Sequence, residues 1–316
     1  MRKARSVPAA TSWSRERPHK LRYVSFSDAA GTRRAGTIEG PAIRPFAADV
    51  ASLDAFIALP PEERQTALAR RGAPIAASSV RLRAPLHPRK NVFAVGRNYL
   101  DHAAEGARAQ GRELKLPEAP AYFTKAPTTI ADPGEVLELS SDVSSQYDWE
   151  AELAIVIGTT CRDVGEADAL SVVFGYTALN DVTARDLQRL HLHPFKGKSL
   201  DHTCPLGPWI VDAAEAGNAQ ALDIALRVNG VVKQHSNTAN MIFSIVRIVS
   251  NLSQGLTLEA GDVIATGTPD GVGFARTPPE FLRDGDVMEV EIEKIGVLRN
   301  TVKIGPTAAL TPPRPR

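Results

Sequence analysis

The chain has 316 residues, 43% of them hydrophobic and 6% aromatic, enough for one large core or a small domain beside a larger one. Lys and Arg number 37 against 36 Asp and Glu, a net charge of +1, so no global field selects nucleic acid, acidic partners or an anionic membrane surface. No apolar run approaches the ~18 residues of a membrane span. Two cysteines, Cys161 and Cys204, lack CxxC spacing and predict reduced thiols in a cytoplasmic protein rather than a disulfide framework or a structural zinc site.

The first 22 residues hold seven Lys or Arg and one acid but no apolar core of a secretory signal. Residues 1–20 therefore read as a disordered basic tail, with an organellar targeting peptide as the alternative. A small α+β unit is predicted over 21–86. It starts with an alternating strand at 21–27 and a hairpin or bend through AGTRRAGTIEG. A helical stretch follows at 53–70, broken and restarted at Pro60-Pro61. The Pro-containing segment 84–88 is a linker.

From Asn91 the pattern becomes β-rich, with strands predicted near 91–95, 135–139, 151–157, 172–178, 208–211, 224–228, 262–265 and 287–293, ending in a hairpin through Gly296. Helices are fewer: a short one after Asn98, one over 182–190 and one over 242–252. The main body is predicted to span 90–303, followed by a C-terminal tail at 304–316. No repeat at a fixed period of 20 to 50 residues is present, which disfavours solenoids and propellers.

Within YDWEAELAIVIG, residues 147–158, Glu150 and Glu152 share one face of a strand; in a helix they would point apart. Spacing alone proves nothing, because Glu289, Glu291 and Glu293 repeat it with Val290 and Ile292 on the other face, as in a half-exposed strand. The first pair differs in its continuation. Ala154 and Val156 follow on its own face, and Leu153, Ile155 and Ile157 occupy the opposite one, so the strand reads as buried on both sides. Two like charges there must share a proton or a cation, or else lie at a solvated strand end. Asp181, in GYTALNDVTARDLQ, is either a helix N-cap or a third oxygen donor, with Arg185 and Gln188 at i+4 and i+7. Three hard oxygens suit Mg²⁺, Mn²⁺ or Ca²⁺.

Three other patterns carry less. Gly197-Lys198-Ser199 is no phosphate loop, since Leu192 stands where the first glycine is required. Gly267, Gly271 and Gly273 do not have dinucleotide-binding spacing and read as a tight turn. His191 and His193 read as solvated loop residues without further metal ligands.

Five blocks in order, VGRNYLDHAAE, EAELAIVIG, GYTALNDVTARDLQ, GKSLDHTCPLGPWIV and ATGTPDGVG, resemble the fumarylacetoacetate hydrolase family over about residues 91–302. The resemblance implies a mixed β-roll or sandwich catalytic domain in a β-rich α+β fold, a divalent cation such as Mg²⁺, and a homodimer. It also implies small-molecule substrates with a 2-oxo acid or 1,3-dicarbonyl group, as in aromatic catabolism. By motif, Glu150, Glu152 and Asp181 fall at the family's metal ligands. His102 and Glu105 match a dyad on a short helix that activates water, and Lys198, Arg185 and Gln188 match groups that hold substrate oxygens. Thr268 matches a loop contact to the substrate carboxylate, and Lys125, in YFTKAP, a further substrate contact. The expected activity is hydrolysis of a C–C bond in an acylpyruvate or related compound. Oxaloacetate-type decarboxylation, hydration of a 2-oxo-4-enoate and hydroxymuconate isomerisation at the same site are the alternatives, and a non-catalytic metal-dependent binder is a third class.

Overall fold

The computed structural model describes residues 21–109, 111 and 113–310. The predicted basic tail, residues 1–20, and residues 311–316 lie outside them. The fold is α+β and strand-rich, as expected. Its central sheet runs in spatial order Ile75–Ala76, Ala42–Pro45, Arg33–Glu39, Arg22–Ser27, Cys204–Asp212, Val173–Asn180, Ala151–Ile157, Val263–Ala265, Val92–Gly96 and Ala121–Lys125. A second sheet runs Val231–Asn237, Asp223–Val228, Val287–Ile292, Gly296–Gly305 and Val136–Ser140.

Every residue of Ala151–Ile157 is buried, because each face of this strand meets a different core. Leu153, Ile155 and Ile157 pack with Leu226, Val290 and Ile292 of the second sheet. Ala154 and Val156 face the other way, into a core shared with Tyr23, Phe56 and Ile57 of the N-terminal unit. That unit is continuous with the central sheet, since Arg22 and Tyr23 pair with Val211 and Ile210. Its helical stretch is divided as predicted at the two prolines, into Leu53–Ala58, capped by Ser52, and Pro61–Ala69.

Glu289 and Glu291 are half-buried on alternate positions of Val287–Ile292 and pair with Arg299 and Arg227, the solvated alternation that their spacing suggested. Elsewhere the boundaries moved. The strand predicted at 208–211 extends to Cys204–Asp212, carrying Pro205 and Pro208 within it. A register shift against the neighbouring strand between Tyr176 and Ala178 accommodates residues that cannot donate to a regular ladder. The last strand reaches Gly305, two residues into the predicted tail, pairing there with Ser140. The helix predicted at 182–190 starts only at Arg185, because Thr183 and Ala184 pair as a short strand with Asp148 and Tyr147. Asp181 therefore is not an N-cap, and it does not share a helix face with Arg185 and Gln188. Among the described residues no helix is long and apolar enough to cross a membrane.

Candidate active site and metal centre

The antiparallel register assembles the carboxylates. Ala151 pairs with Asn180, and the Asp181 N–H donates to the Glu150 carbonyl at 2.8 Å, so Asp181 stands across from Glu150 at the open end of the ladder. Glu152 shares the face of Glu150. All three are buried, and one carboxylate oxygen from each lies within 4.8 Å of the other two.

Buried cations surround them. Lys198 Nζ bridges Glu150 Oε2 at 2.6 Å and Asp181 Oδ2 at 2.7 Å. Its short helix, Phe195–Lys198, lies so close to Arg185–Leu190 that a Cβ on Gly197 would come within 2.7 Å of the Gln188 nitrogen; this is the glycine's structural task. Lys125 is fully buried, 2.7 Å from Asp181 Oδ1 but not aligned as a hydrogen bond, and donates to the Lys198 carbonyl. Arg185 spreads its guanidinium over Glu150 Oε1 at 2.6 Å, Asp148 Oδ2 at 2.8 Å and Gln188 Oε1 at 3.0 Å, and stacks on the Phe274 ring at 4.5 Å.

Four buried carboxylates, Asp148, Glu150, Glu152 and Asp181, thus face three buried cations, Lys125, Arg185 and Lys198. The deficit falls on Glu152, which has no ion-pair partner among the described residues and accepts only the Gly267 N–H, at 2.7 Å. Burial, with Asp181 and Glu150 beside it, pushes the Glu152 carboxyl well above the usual range. Burial acts on Glu150 in the same sense, but Lys198 and Arg185 outweigh it and bring that carboxyl down to about 2. A carboxylate in the position of Glu152 is satisfied by a proton or by a shared cation. Asp181 Oδ1, buried without a hydrogen bond, and the all-oxygen donor set fit a hard divalent cation.

The helix Leu100–Ala109 carries His102, which is buried. His102 Nδ1 lies 3.4 Å from Glu105 Oε2. An ionised carboxylate only accepts, so this contact places the proton on Nδ1 and leaves Nε2 as the basic nitrogen. Glu105 in turn receives the Gly271 N–H. Thr268 Oγ1 accepts from Gln234 Nε2 at 2.8 Å, which leaves the hydroxyl proton free to donate.

The structure thus gathers Glu150, Asp181, Lys198, Arg185, Gln188 and Lys125 into one hydrogen-bonded and ion-paired cluster, with Glu152 within 4.8 Å of its carboxylates and the His102–Glu105 pair nearby. Lys125 sits behind Asp181 as a charge partner, wholly shielded from solvent. His191 and His193 are exposed, and among the described residues the only cluster of potential metal ligands is the Glu150, Glu152 and Asp181 group. Two residues were missed from sequence. Gln234 ties the Ala151 N–H to Thr268 and to the Pro269 carbonyl. Asp148, fully buried, continues the alternation of Glu150 and Glu152 two residues upstream, a signal already present in YDWEAE.

Known proteins resemble this chain in sequence and in fold. The family model for the fumarylacetoacetate hydrolase C-terminal domain matches residues 91–303. Oxaloacetate tautomerase YisK of Bacillus subtilis is 47% identical over 226 residues, 71% of this chain and 74% of that protein. A 2,4-didehydro-3-deoxy-L-rhamnonate hydrolase of Sphingomonas is 41% identical over 231 residues, 72% of this chain and 79% of that protein. Among solved structures, a fumarylacetoacetate hydrolase from psychrophilic Exiguobacterium antarcticum is 41% identical with a TM-score of 0.77, covering 90% of this chain and 99% of that one. The chain belongs to the fumarylacetoacetate hydrolase family.

Proposed function

We propose that this chain is an enzyme of 2-oxo acids that moves a proton at the carbon next to the keto group, interconverting keto and enol forms of an oxaloacetate-like dicarboxylate. The observation that carries the reading is the His102–Glu105 pair, anchored to Gly271 in the same loop whose Gly267 N–H donates to Glu152 of the carboxylate cluster. Support also comes from the 47% identity to a tautomerase.

A divalent cation, Mg²⁺ or Mn²⁺, held by Glu150, Glu152 and Asp181 would supply Lewis-acid stabilisation of the negative charge that develops on the keto oxygen. The chain's own groups do the rest. Two Lys198 ammonium protons are committed to Glu150 and Asp181, and the third is free for a substrate oxygen. The Gln188 amide, whose oxygen is taken by Arg185, offers its NH₂, and Thr268 offers its hydroxyl proton to the substrate carboxylate. His102 Nε2 takes the proton from carbon 3 and returns it there or to the keto oxygen, with Glu105 holding the ring.

C–C hydrolysis of an acylpyruvate is the second reading, favoured by the same dyad and by the hydrolase relative. There His102 would deprotonate a water that adds to the distal carbonyl. The C–C bond then breaks, its electron pair forming the enolate of the 2-oxo acid, which is protonated on carbon. Two assays with Mg²⁺ or Mn²⁺ separate these: loss of enol absorbance from oxaloacetate, and release of carboxylic acid from acylpyruvates. Accelerated enol loss that disappears in His102→Ala supports the tautomerase, acid release supports the hydrolase, and neither activity with any 2-oxo acid sinks both.

A further inference from the structure

We propose that Asp148 is a positioning residue that locks the Arg185 guanidinium and the turn at 271–274 into one unit, so that the two halves of the site keep a fixed separation. Its catalytic consequence rests on the function proposed above; its structural content does not.

Asp148 spends both oxygens on this join. Oδ2 accepts from Arg185 Nε at 2.8 Å and from the Phe274 N–H at 3.0 Å. Oδ1 accepts from the Gly273 N–H at 2.7 Å and the Trp149 N–H at 2.8 Å. Four donors on one wholly buried carboxylate leave it a single orientation. These donors lead to two parts of the site, the Arg185 guanidinium and the turn at 271–274. With Nε pinned, the planar guanidinium can direct its remaining arms only as seen, to Glu150 and Gln188. The turn carries Phe274 under the guanidinium and Gly271 against Glu105, the partner of His102. The Trp149 indole closes the circuit by donating to the Gly271 carbonyl at 3.1 Å.

Gly273 shows how closely the parts fit, since a Cβ there would stand 2.7 Å from Asp148 Oδ1 and collide with the Glu280 carbonyl. Both Asp148 oxygens are occupied by protein donors and the side chain is wholly buried, so Asp148 acts through its partners and not on the substrate. A carboxylate that merely capped the turn would need no arginine, and one that merely neutralised Arg185 would need no backbone donors.

The test uses Asp148→Asn, Arg185→Gln and the double variant of the full chain. Arg185→Gln removes no hydrogen bond to the turn, only the stacking on the Phe274 ring, yet exchange of both the Gly273 and Phe274 amides is expected to rise about 10-fold or more, because Asp148 loses the donor that orients it. Asp148→Asn is expected to lower kcat about 10- to 100-fold with KM within about 3-fold. The double variant should fall no more than about 3-fold below the worse single one, since both changes break the same unit. Wild-type exchange at Gly273 and Phe274 in Arg185→Gln, or kcat losses that multiply in the double variant, would overturn the proposal. If the wild-type chain turns over none of the 2-oxo acids, the proposed function fails and the exchange comparison alone decides the role of Asp148. That comparison also stands if Asp148→Asn does not fold.

Discussion

Glu105 grips Gly271 with both carboxylate oxygens, which accept the glycine N–H at 3.0 and 3.1 Å. The helix Leu100–Ala109 is thereby tied to the turn that follows Thr268, and the orientation of His102 depends on a backbone atom about 170 residues away in sequence.

His102→Ala should lower kcat by ~10²–10⁴ if its Nε2 moves the proton. Glu105→Gln keeps the shape but weakens both contacts, so a smaller loss is expected, about 10-fold or more, with little change in KM. Steady-state kinetics on the substrate identified by the assays above checks both. Full turnover in His102→Ala would remove the residue from the mechanism.

Gly271→Ala should damage the same tie from the other end. Gly271 has φ of 96°, a conformation that side chains rarely adopt, and a Cβ there would run into the Lys233 carbonyl. The turn must shift and take the Glu105 anchor with it. A stability loss of about 1–3 kcal/mol is expected, together with a fall in kcat. Urea denaturation and kinetics on one preparation would show it, and unchanged values for both would mean that the turn is free to move.

Much of this site was legible because strand chemistry leaves a clear pattern. The apolar continuation beyond Glu152 predicted a strand buried on both faces, and each face indeed meets its own core. What escaped depends on tertiary pairing. Asp181 could be read as a helix cap as well as a third oxygen donor because nothing local announces that Thr183 and Ala184 pair with Tyr147 and Asp148. That Lys125 lies 2.7 Å from Asp181 likewise depends on long-range packing that its own segment, YFTKAP, does not announce. Gln234 lies in Val231–Asn237, a polar strand with no periodicity to mark one side chain as buried and fully bonded.

Lys198→Met should expose the charge balance of the cluster. The ammonium bridges Glu150 and Asp181, and its removal leaves two buried carboxylates short of a cation. Breaking such a pair costs about 3–5 kcal/mol. Added Mn²⁺ that binds the carboxylates should return about 2.7 kcal/mol at a hundredfold excess over Kd. Thermal unfolding with and without Mn²⁺ measures both effects. A variant as stable as wild type, or one indifferent to Mn²⁺, would contradict the assignment of these carboxylates to a cation site.

His202 provides a pH test away from the carboxylate cluster. Its Nδ1 lies 3.3 Å from Glu135 Oε1, and the contact with Glu135 raises its pKa above the ordinary histidine value; burial opposes the shift, while the charges of Glu135, Asp201 and Glu138 add to it. A raised folded-state pKa means that the folded chain holds the proton more tightly than the unfolded one. The contribution to stability is therefore complete below the unfolded value of about 6.5 and is lost as pH rises through the folded value. The Glu135 carboxyl is itself held below its usual range: burial raises it, but His202, the Asp132 N–H and Arg81 prevail. The partner thus stays charged at pH 5.5. His202→Gln should be less stable than wild type by about 0.5–1 kcal/mol at pH 5.5, the scale of a partly exposed pair. The gap should close by pH 8.5. Urea denaturation of both proteins at the two pH values measures it, and a gap that widens with pH would show that the neutral ring, not the ion pair, is what the fold uses.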